Sequence, residues 1–178
     1  GGGGVRSLED ADALFRAGGD KIVIGTWWQG IEPLAARYGS QAVVASVDAR
    51  PFPALNGAPD HRVTVRSEVL ISHIPAPDWA ERLQAEGAGE ILLQSIDRDG
   101  TRAGYDVELI RRVSAVCRVP LIASGGARGS CATMLAEDMG RAVAAGADAV
   151  AAGAVWLFDD VTPREVKVEL RRMGVGVR

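Results

Sequence analysis

The chain has 178 residues, 47% of them hydrophobic and 24% charged, and a formal net charge of −3 at pH 7. This length can bury the core of one domain, and the weakly acidic charge without a Lys/Arg block argues against nucleic acid and against an acidic membrane surface as partners. No apolar run reaches the roughly 18 residues that a membrane-spanning helix needs. Cys117 and Cys131 show no metal-ligand spacing with each other or with His61 and His73. We therefore expect reduced thiols in a cytoplasmic protein that has no metal and no cofactor.

Short apolar strands alternate with helices along the chain. A first helix is predicted after Ser7, its expected N-cap with Asp10 reaching back, and it ends at Gly18-Gly19. Continuous apolar runs predict strands at 21–26, 42–48, 90–95, 120–126 and 149–154. Helical spacing predicts further helices at 31–38, 78–86, 106–116, 134–145 and 163–173. Between 51 and 77 five prolines mark an irregular stretch, in which HRVTVRSEVLIS (61–72) is predicted as a hairpin.

An internal repeat indicates how these units are arranged. GGVRS…AGGDKIVIGT and GGARG…AGADAVAAGA share one plan: Gly-Gly after a strand, a helix, then a glycine turn and a short apolar strand. Recurring units of this kind favour a (β/α)8 TIM barrel over an open doubly wound sheet. Such a barrel needs eight strands and about 250 residues. We therefore expect one incomplete α/β barrel domain over 1–178, with about five parallel strands after the stump of strand three, and with the N-terminal part missing.

Short runs of glycine and other small residues follow several predicted strands. They are Gly2-Gly3-Gly4, Gly25-Thr26, Gly125-Gly126 and Gly153-Ala154. Small residues let backbone N–H groups approach an anion, and the N-terminus of a following helix favours negative charge. The pattern predicts two phosphate pockets on one rim of the barrel; the alternative is that the glycines only form tight turns.

Carboxylates end two of the predicted strands. Asp48 ends the predicted strand at 42–48, in the string SVDAR. Asp97 and Asp99 follow the predicted strand at 90–95, in the string SIDRDG. A carboxylate at a strand end among apolar side chains can have a raised pKa and act as a general acid or base. Asp97 has a second interpretation, pairing with Arg98 or capping the turn, and Asp106 is expected to cap the next helix.

Two further features lie near the strand ends. Lys21 and Glu90 occupy the first positions of their strands, where opposite charges could pair across the barrel floor; an ordinary rim salt bridge is the alternative. Trp27-Trp28 follows the Gly-Thr pair, and these indoles either pack under the rim or crowd the site.

Several strings resemble one enzyme family. RYGSQAVVASVDAR, GAGEILLQSIDRDGTRAGYDVELIRRVS and PLIASGGA are similar to the cyclase subunit of imidazole glycerol phosphate synthase of histidine biosynthesis. The likeness runs from Gly2 to Arg178, with a weak patch at 51–77 and an insertion at 129–139. It implies a (β/α)8 barrel of two half-barrels that converts a bisphosphorylated aminoimidazole carboxamide ribonucleotide and ammonia to imidazole glycerol phosphate and aminoimidazole carboxamide ribotide. It also implies a glutaminase (glutamine amidotransferase) subunit docked on the barrel floor as a heterodimer.

The resemblance assigns roles to individual residues. Asp48 matches a catalytic aspartate, Lys21 and Glu90 match an ammonia gate, and Asp20 and Gln41 match positions near the partner. One implied phosphate pocket comprises Gly4, Gly25 and Thr26, and the other comprises Asp99, Gly100, Gly125, Gly126, Gly153 and Ala154.

The chain also departs from the family pattern. The first catalytic aspartate, at the end of strand one, has no counterpart, and Gly25, Gln94 and Ala154 replace the Asn, Thr and Ser of the family. These departures leave two alternatives open. One is a paralogous barrel coupled to an amidotransferase and acting on a nucleotide sugar, and the other is an inactive scaffold that binds phosphate or a partner.

Overall fold

The computed structural model describes residues 4–53, 60–65 and 70–178. Its strands are β1 Ile22–Ile24, β2 Val43–Phe52, β3 Asp60–Val65, β4 Leu70–Pro75, β5 Glu90–Ser95, β6 Leu121–Ser124 and β7 Ala149–Val150. Its helices are α1 Leu8–Arg16, α2 Ile31–Tyr38, α3 Ala76–Ala85, α4 Val107–Ser114, α5 Ala132–Ala144, α6 Ala154–Phe158 and α7 Pro163–Arg172.

Five strands form a parallel wall in the order β1-β2-β5-β6-β7. The order follows the chain in one direction, whereas a doubly wound sheet reverses its direction partway. Since parallel crossovers are right-handed, a one-directional order places the connecting helices on one face of the sheet. This is the wall of an α/β barrel, and the five predicted parallel strands are confirmed.

Alternation along the strands distinguishes the two faces of the wall. In β5, Ile91 and Leu93 are buried, while Glu90, Leu92 and Gln94 are only half-buried. Successive side chains of a strand point to opposite faces. The buried set therefore packs under the helices, and the half-buried set lines the concave face.

The predicted hairpin is present, and it extends β2. β3 and β4 are antiparallel, and β3 pairs with the second half of β2, from Ala49 opposite Val63 to Phe52 opposite Asp60. The strand predicted at 42–48 therefore continues to Phe52. Its extension contains Pro51, and the sequence gives no sign of the continuation because the partner strand comes from the hairpin.

Other boundaries differ by a few residues. The strand predicted at 149–154 ends at Val150, and Ala154 instead begins α6. The helix predicted at 78–86 begins at Ala76, since proline is compatible with the first turn of a helix and Pro77 falls there. The first helix is capped as predicted: the Ser7 hydroxyl accepts the Asp10 N–H at 3.2 Å.

The two outer strands of the wall are edges. Within the described ranges, β1 pairs only with β2, and β7 pairs only with β6. No helix in these ranges is long and apolar enough to cross a bilayer.

Candidate functional site

A row of polar side chains crosses the concave face near the ends of β5 and β6. Asp48 was predicted to end its strand, but β2 continues to Phe52 because it pairs with β3, so Asp48 lies within the strand. Asp48 of β2 is in register with Gln94 of β5, and Gln94 is in register with Ser124 of β6. Neighbouring strands lie about 5 Å apart, so Asp48 and Ser124 are separated by about 10 Å, the width of two strand spacings. Ser124 was not predicted as a site residue, although the alternation of LIAS places it on the same face as Ile122.

The Asp48 carboxyl has an altered acidity. It is half-buried, and its Oδ1 accepts the Ser46 hydroxyl at 2.9 Å. Burial disfavours the charged form and raises the pKa, and the hydrogen bond from Ser46 opposes this rise only in part. A carboxyl with a raised pKa holds and releases protons more readily near neutral pH than an ordinary aspartate does.

One rim cavity brings together the second predicted phosphate set. Its volume is about 30 Å³, and it contains all six predicted residues, Asp99, Gly100, Gly125, Gly126, Gly153 and Ala154. Among the described residues, the N–H groups of Gly100, Gly126 and Gly153 donate to no other protein group. The Asp99 N–H is occupied, because it donates to the Ser95 carbonyl at 3.0 Å. The rim cavity thus offers free backbone donors of the kind that bind phosphate.

Close packing of the backbone explains why glycine is needed in the wall of this cavity. Gly125 has φ +91°, and a Cβ at that position would overlap the Ser95 carbonyl. Only glycine adopts this conformation without strain and allows the two loops to approach. The carbonyl of the adjacent Gly126 accepts the Gly104 N–H at 2.7 Å, which joins the loop after β6 to the loop after β5.

Arg102 is a cavity residue that the sequence reasoning missed. It lines the rim cavity, has φ +57°, and its guanidinium pairs with Asp159 at 3.0 Å. The left-handed backbone is uncommon for a residue other than glycine. Nothing in RDGTRAG singles it out beyond its charge, because its partner lies 57 positions along the chain.

Asp97 and Asp106, both after β5, have two different structural roles. Asp97 is exposed and accepts the Ser95 hydroxyl at 3.1 Å, so the structure favours the local, turn-stabilising contact over a pair with Arg98. Asp106 caps α4 as predicted, since its Oδ1 accepts the Leu109 N–H at 3.0 Å. Its Oδ2 also lies 3.2 Å from Nε2 of the buried His61 on β3, a contact that the sequence did not suggest.

Asp106 is therefore a strongly held carboxylate. Burial alone raises its pKa, but the His61 hydrogen bond, the Leu109 N–H and the charge of Arg98 outweigh burial, so the pKa is lowered. A group that remains charged in this way is a structural anchor between the hairpin and α4 rather than a proton carrier.

The first predicted phosphate set is less enclosed. Gly4, Gly25 and Thr26 are all exposed to solvent. Gly25 lies beside Ser46 on the concave side, with room for a Cβ 3.7 Å from Ser46 Cβ. This pocket stays a prediction.

Lys21 and Glu90 meet at the opposite end of the strands. The Lys21 ammonium donates to Glu90 Oε1 in a half-buried ion pair. Both residues precede or begin their strands, so the pair lies at the floor, as the sequence suggested. Asp20 and Gln41 are exposed at the same end, and Gln41 Nε2 donates to the Tyr38 carbonyl at 3.2 Å.

The tryptophans pack toward α3. Trp28 meets Trp79 edge-on with ring centroids 5.5 Å apart, and the Arg82 guanidinium lies 5.2 Å from the centroids of both rings. Trp27 lies against Gly30, where any Cβ would overlap its ring. These contacts fit the packing interpretation. Across the described residues, no group of three His, Cys, Asp or Glu side chains could hold a metal ion.

Comparison with known proteins identifies similar sequences. The model of a family described as "Histidine biosynthesis protein" matches residues 1–162. The imidazole glycerol phosphate synthase subunit HisF of Corynebacterium diphtheriae is 44% identical over 184 residues, which cover 99% of this chain and 69% of that protein. The proteins of the same name from Pyrobaculum aerophilum and Nocardia farcinica are 46% and 44% identical, again over 99% of this chain and over 67% and 69% of their own lengths. The chain thus spans about two thirds of these relatives.

Proposed function

This chain belongs to the histidine biosynthesis protein family, and from that premise we propose that it carries the cyclase chemistry of imidazole glycerol phosphate synthase. The substrate is a bisphosphorylated aminoimidazole carboxamide ribonucleotide. Ammonia enters the reaction, and the substrate is cleaved and cyclised to imidazole glycerol phosphate and aminoimidazole carboxamide ribotide. The relatives named above all carry the same synthase name, which favours this reaction over a nucleotide-sugar reaction or an inactive scaffold.

The observation that carries the proposal is the position of Asp48. It lies within β2, next to the last parallel pair with β5, on the concave face and two strands from Ser124 in the wall of the rim cavity. A substrate whose phosphate binds to the free N–H groups at that cavity can extend its reacting atoms over β5 toward the carboxyl. Because its pKa is raised, Asp48 is suited to carry protons during ring closure.

Each end of the substrate needs an anion site. We assign one phosphate to the N–H groups of Gly100, Gly126 and Gly153 in the rim cavity, with Asp99, Gly125 and Ala154 shaping its walls. The second phosphate is assigned to the open region of Gly4, Gly25 and Thr26. Backbone donors of this kind bind phosphate without the need for a particular side chain, so the replacement of family residues at Gly25 and Ala154 is compatible with it.

Ammonia would come from the floor. The Lys21–Glu90 ion pair lies at the opposite strand ends from Asp48, where it can open or block a path through the barrel. The relatives are named as a subunit, and we assign the floor, with Asp20 and Gln41, to a glutaminase partner in a heterodimer. We place this reaction in the cytoplasm, because a substrate with two charged phosphate groups does not cross a bilayer unaided.

The test is ammonia-dependent consumption of the bisphosphorylated substrate. The chain is assayed alone and after mixing with a fragment of the Corynebacterium diphtheriae relative that comprises its first two strand–helix units. We expect turnover in the mixture. Asp48→Asn is expected to abolish turnover while substrate binding stays within about twofold, because it removes a proton carrier and no phosphate donor.

The control is Asp78→Asn, which makes the same chemical change at an exposed position on α3 and should leave turnover intact. Since the folded state holds the Asp48 proton more tightly than the unfolded chain does, the charged carboxylate lowers stability as pH rises through its folded pKa. Asp48→Asn should therefore melt no lower than the wild type at pH 7, which separates a catalytic loss from misfolding. Normal turnover by Asp48→Asn would remove this residue from the mechanism.

A further inference from the structure

A second cavity lies between α4 and α5, separate from the rim cavity. Its volume is about 380 Å³, within the range of pockets that bind small molecules. The two cavities share no lining residue. Between them runs the hydrogen bond from the Gly104 N–H to the Gly126 carbonyl, with Gly104 on the wall of the outer cavity and Gly126 on the wall of the rim cavity.

Four arginines line this outer cavity. They are Arg98 from the loop after β5, Arg111 from α4, Arg128 from the loop after β6 and Arg141 from α5. They span 44 positions of the sequence, from 98 to 141. Only the folded structure brings these four segments together.

Arg98 is held in place before any ligand arrives. Its Nη1 donates to the carbonyls of Gly104 and Tyr105 at 3.2 and 3.3 Å, and its Nε lies 3.5 Å from Asp106 Oδ2. A guanidinium has five N–H donors in a rigid plane. The donors on Nη2 have no partner among the described residues. A fixed guanidinium with free donors binds an anion at low entropic cost.

The other three arginines have no carboxylate within ion-pair distance in the described part of the chain. Arg111 and Arg141 are exposed on neighbouring helices, and the backbone of Arg128 is fixed because its N–H donates to Asp138 Oδ2 at 2.9 Å. Among the residues that the structure describes, seven other arginines pair with a carboxylate: Arg37, Arg62, Arg82, Arg98, Arg102, Arg112 and Arg172.

Three carboxylates also border the cavity, and two of them are already occupied. Asp106 holds His61 and Arg98, while Asp138 is buried and accepts the Arg128 N–H. Glu108 is exposed on the first turn of α4. Four guanidinium groups therefore face three carboxylates, a local positive excess on a chain whose net charge is −3.

We propose that this outer cavity is an anion site for a phosphorylated small molecule, distinct from the rim cavity. A guanidinium group can donate two parallel hydrogen bonds to two oxygens of a phosphate group. Several guanidinium groups together can bind a ligand that carries more than one negative charge. The cavity is an open depression of about 380 Å³, a size that suits a small molecule. The site does not depend on the proposed cyclase reaction, and its test is a binding measurement.

The experiment titrates inorganic pyrophosphate into the purified chain at low ionic strength by calorimetry. The wild type is compared with the double variant Arg111→Gln/Arg141→Gln, whose side chains make no hydrogen bond to the rest of the described protein. We expect pyrophosphate binding to weaken at least roughly tenfold, since two charge-assisted contacts are removed.

The matched control is Arg164→Gln/Arg171→Gln on α7, which removes the same charge from exposed positions away from the cavity. Its affinity should stay within about twofold of the wild type, and both double variants should melt like the wild type. Three results overturn the proposal: no pyrophosphate binding by the wild type, equal weakening in both double variants, or unchanged binding in Arg111→Gln/Arg141→Gln. The last result would place the phosphate in the rim cavity alone.

Discussion

At the scale of single residues, Asp48 and Asp106 show how the same side chain is set to opposite acidities. Asp48 is half-buried and Asp106 is buried, and burial raises the pKa of each carboxyl. Asp106 receives enough hydrogen bonds and positive charge to reverse this effect, whereas Asp48 receives one hydroxyl. The number of donors, and not burial, separates the anchor from the proposed proton carrier.

Ser46→Ala should raise the pKa of Asp48 further. The Ser46 hydroxyl donates to the Asp48 carboxylate at 2.9 Å and so favours the charged form; without it, only the effect of burial remains. Carboxyl carbon chemical shifts followed by NMR against pH would report the midpoint directly. We expect the midpoint to move upward, and any acid limb of turnover to move with it.

Ser114→Ala serves as the comparison, because its hydroxyl bonds to the carbonyls of Arg111 and Ala145 and touches no carboxylate. It should leave the Asp48 midpoint in place. A downward shift in Ser46→Ala would mean that the hydroxyl does not donate to Asp48 in solution.

At the scale of elements, α5 begins without a side-chain cap. Its N-cap is Cys131, with φ −145° and ψ 165°, a backbone conformation in which serine accepts N–H bonds of the first turn. The Cys131 side chain is exposed and makes no capping bond. Cys131→Ser is therefore expected to stabilise the protein by about 0.5–1 kcal/mol, measured by urea unfolding.

Ser7→Ala is the reciprocal test, since Ser7 caps α1 with a bond to Asp10. It should cost about 1 kcal/mol. Equal stability of Cys131→Ser and the wild type would show that the first turn of α5 is already satisfied by water.

Gly125 fixes how closely the loop after β6 approaches the end of β5. Gly125→Ala should lower the free energy of unfolding by about 2 kcal/mol or more, because φ +91° is strained for alanine and its methyl group would overlap the Ser95 carbonyl. Thermal unfolding and phosphate binding should both report the change. Gly153→Ala is the matched variant in the same cavity, with no atom within 4 Å of the new methyl group, and should melt like the wild type. Wild-type stability and phosphate binding in Gly125→Ala would show that the loop after β5 can shift to make room for the methyl group.

At the scale of the whole molecule, the open edges of the wall govern behaviour in solution. β1 and β7 each pair on one side in the described ranges, and a cavity of about 940 Å³ runs beside β7, lined mainly by apolar side chains such as Ile122, Val166 and Leu170. Unpaired strand edges next to apolar surface promote association. We expect sedimentation to show dimers or larger species for the chain alone, and the fragment that supplies the first two strand–helix units to reduce them.

A single sharp monomer boundary with cooperative melting would contradict that expectation. It would mean that the unpaired edges of β1 and β7 do not drive association.

The sequence by itself determined the class of the fold and the order of its parallel strands. Apolar runs, glycine turns and the internal repeat predicted five parallel strands, and the glycines and Asp99 after them predicted the residues of the rim cavity. Asp48 was predicted as a candidate site residue, although β2 continues past it to Phe52. These signals are local: a buried strand must be apolar, and a tight turn must be small. The strings that resemble one enzyme family predicted the function.

Tertiary structure alone decided which distant groups meet. The His61–Asp106 contact, the Arg102–Asp159 pair and the four arginines of the outer cavity each join segments far apart in the chain. No local pattern specifies such a contact, because its energy depends on the register of strands and the packing of helices. Those are fixed only when the whole wall assembles.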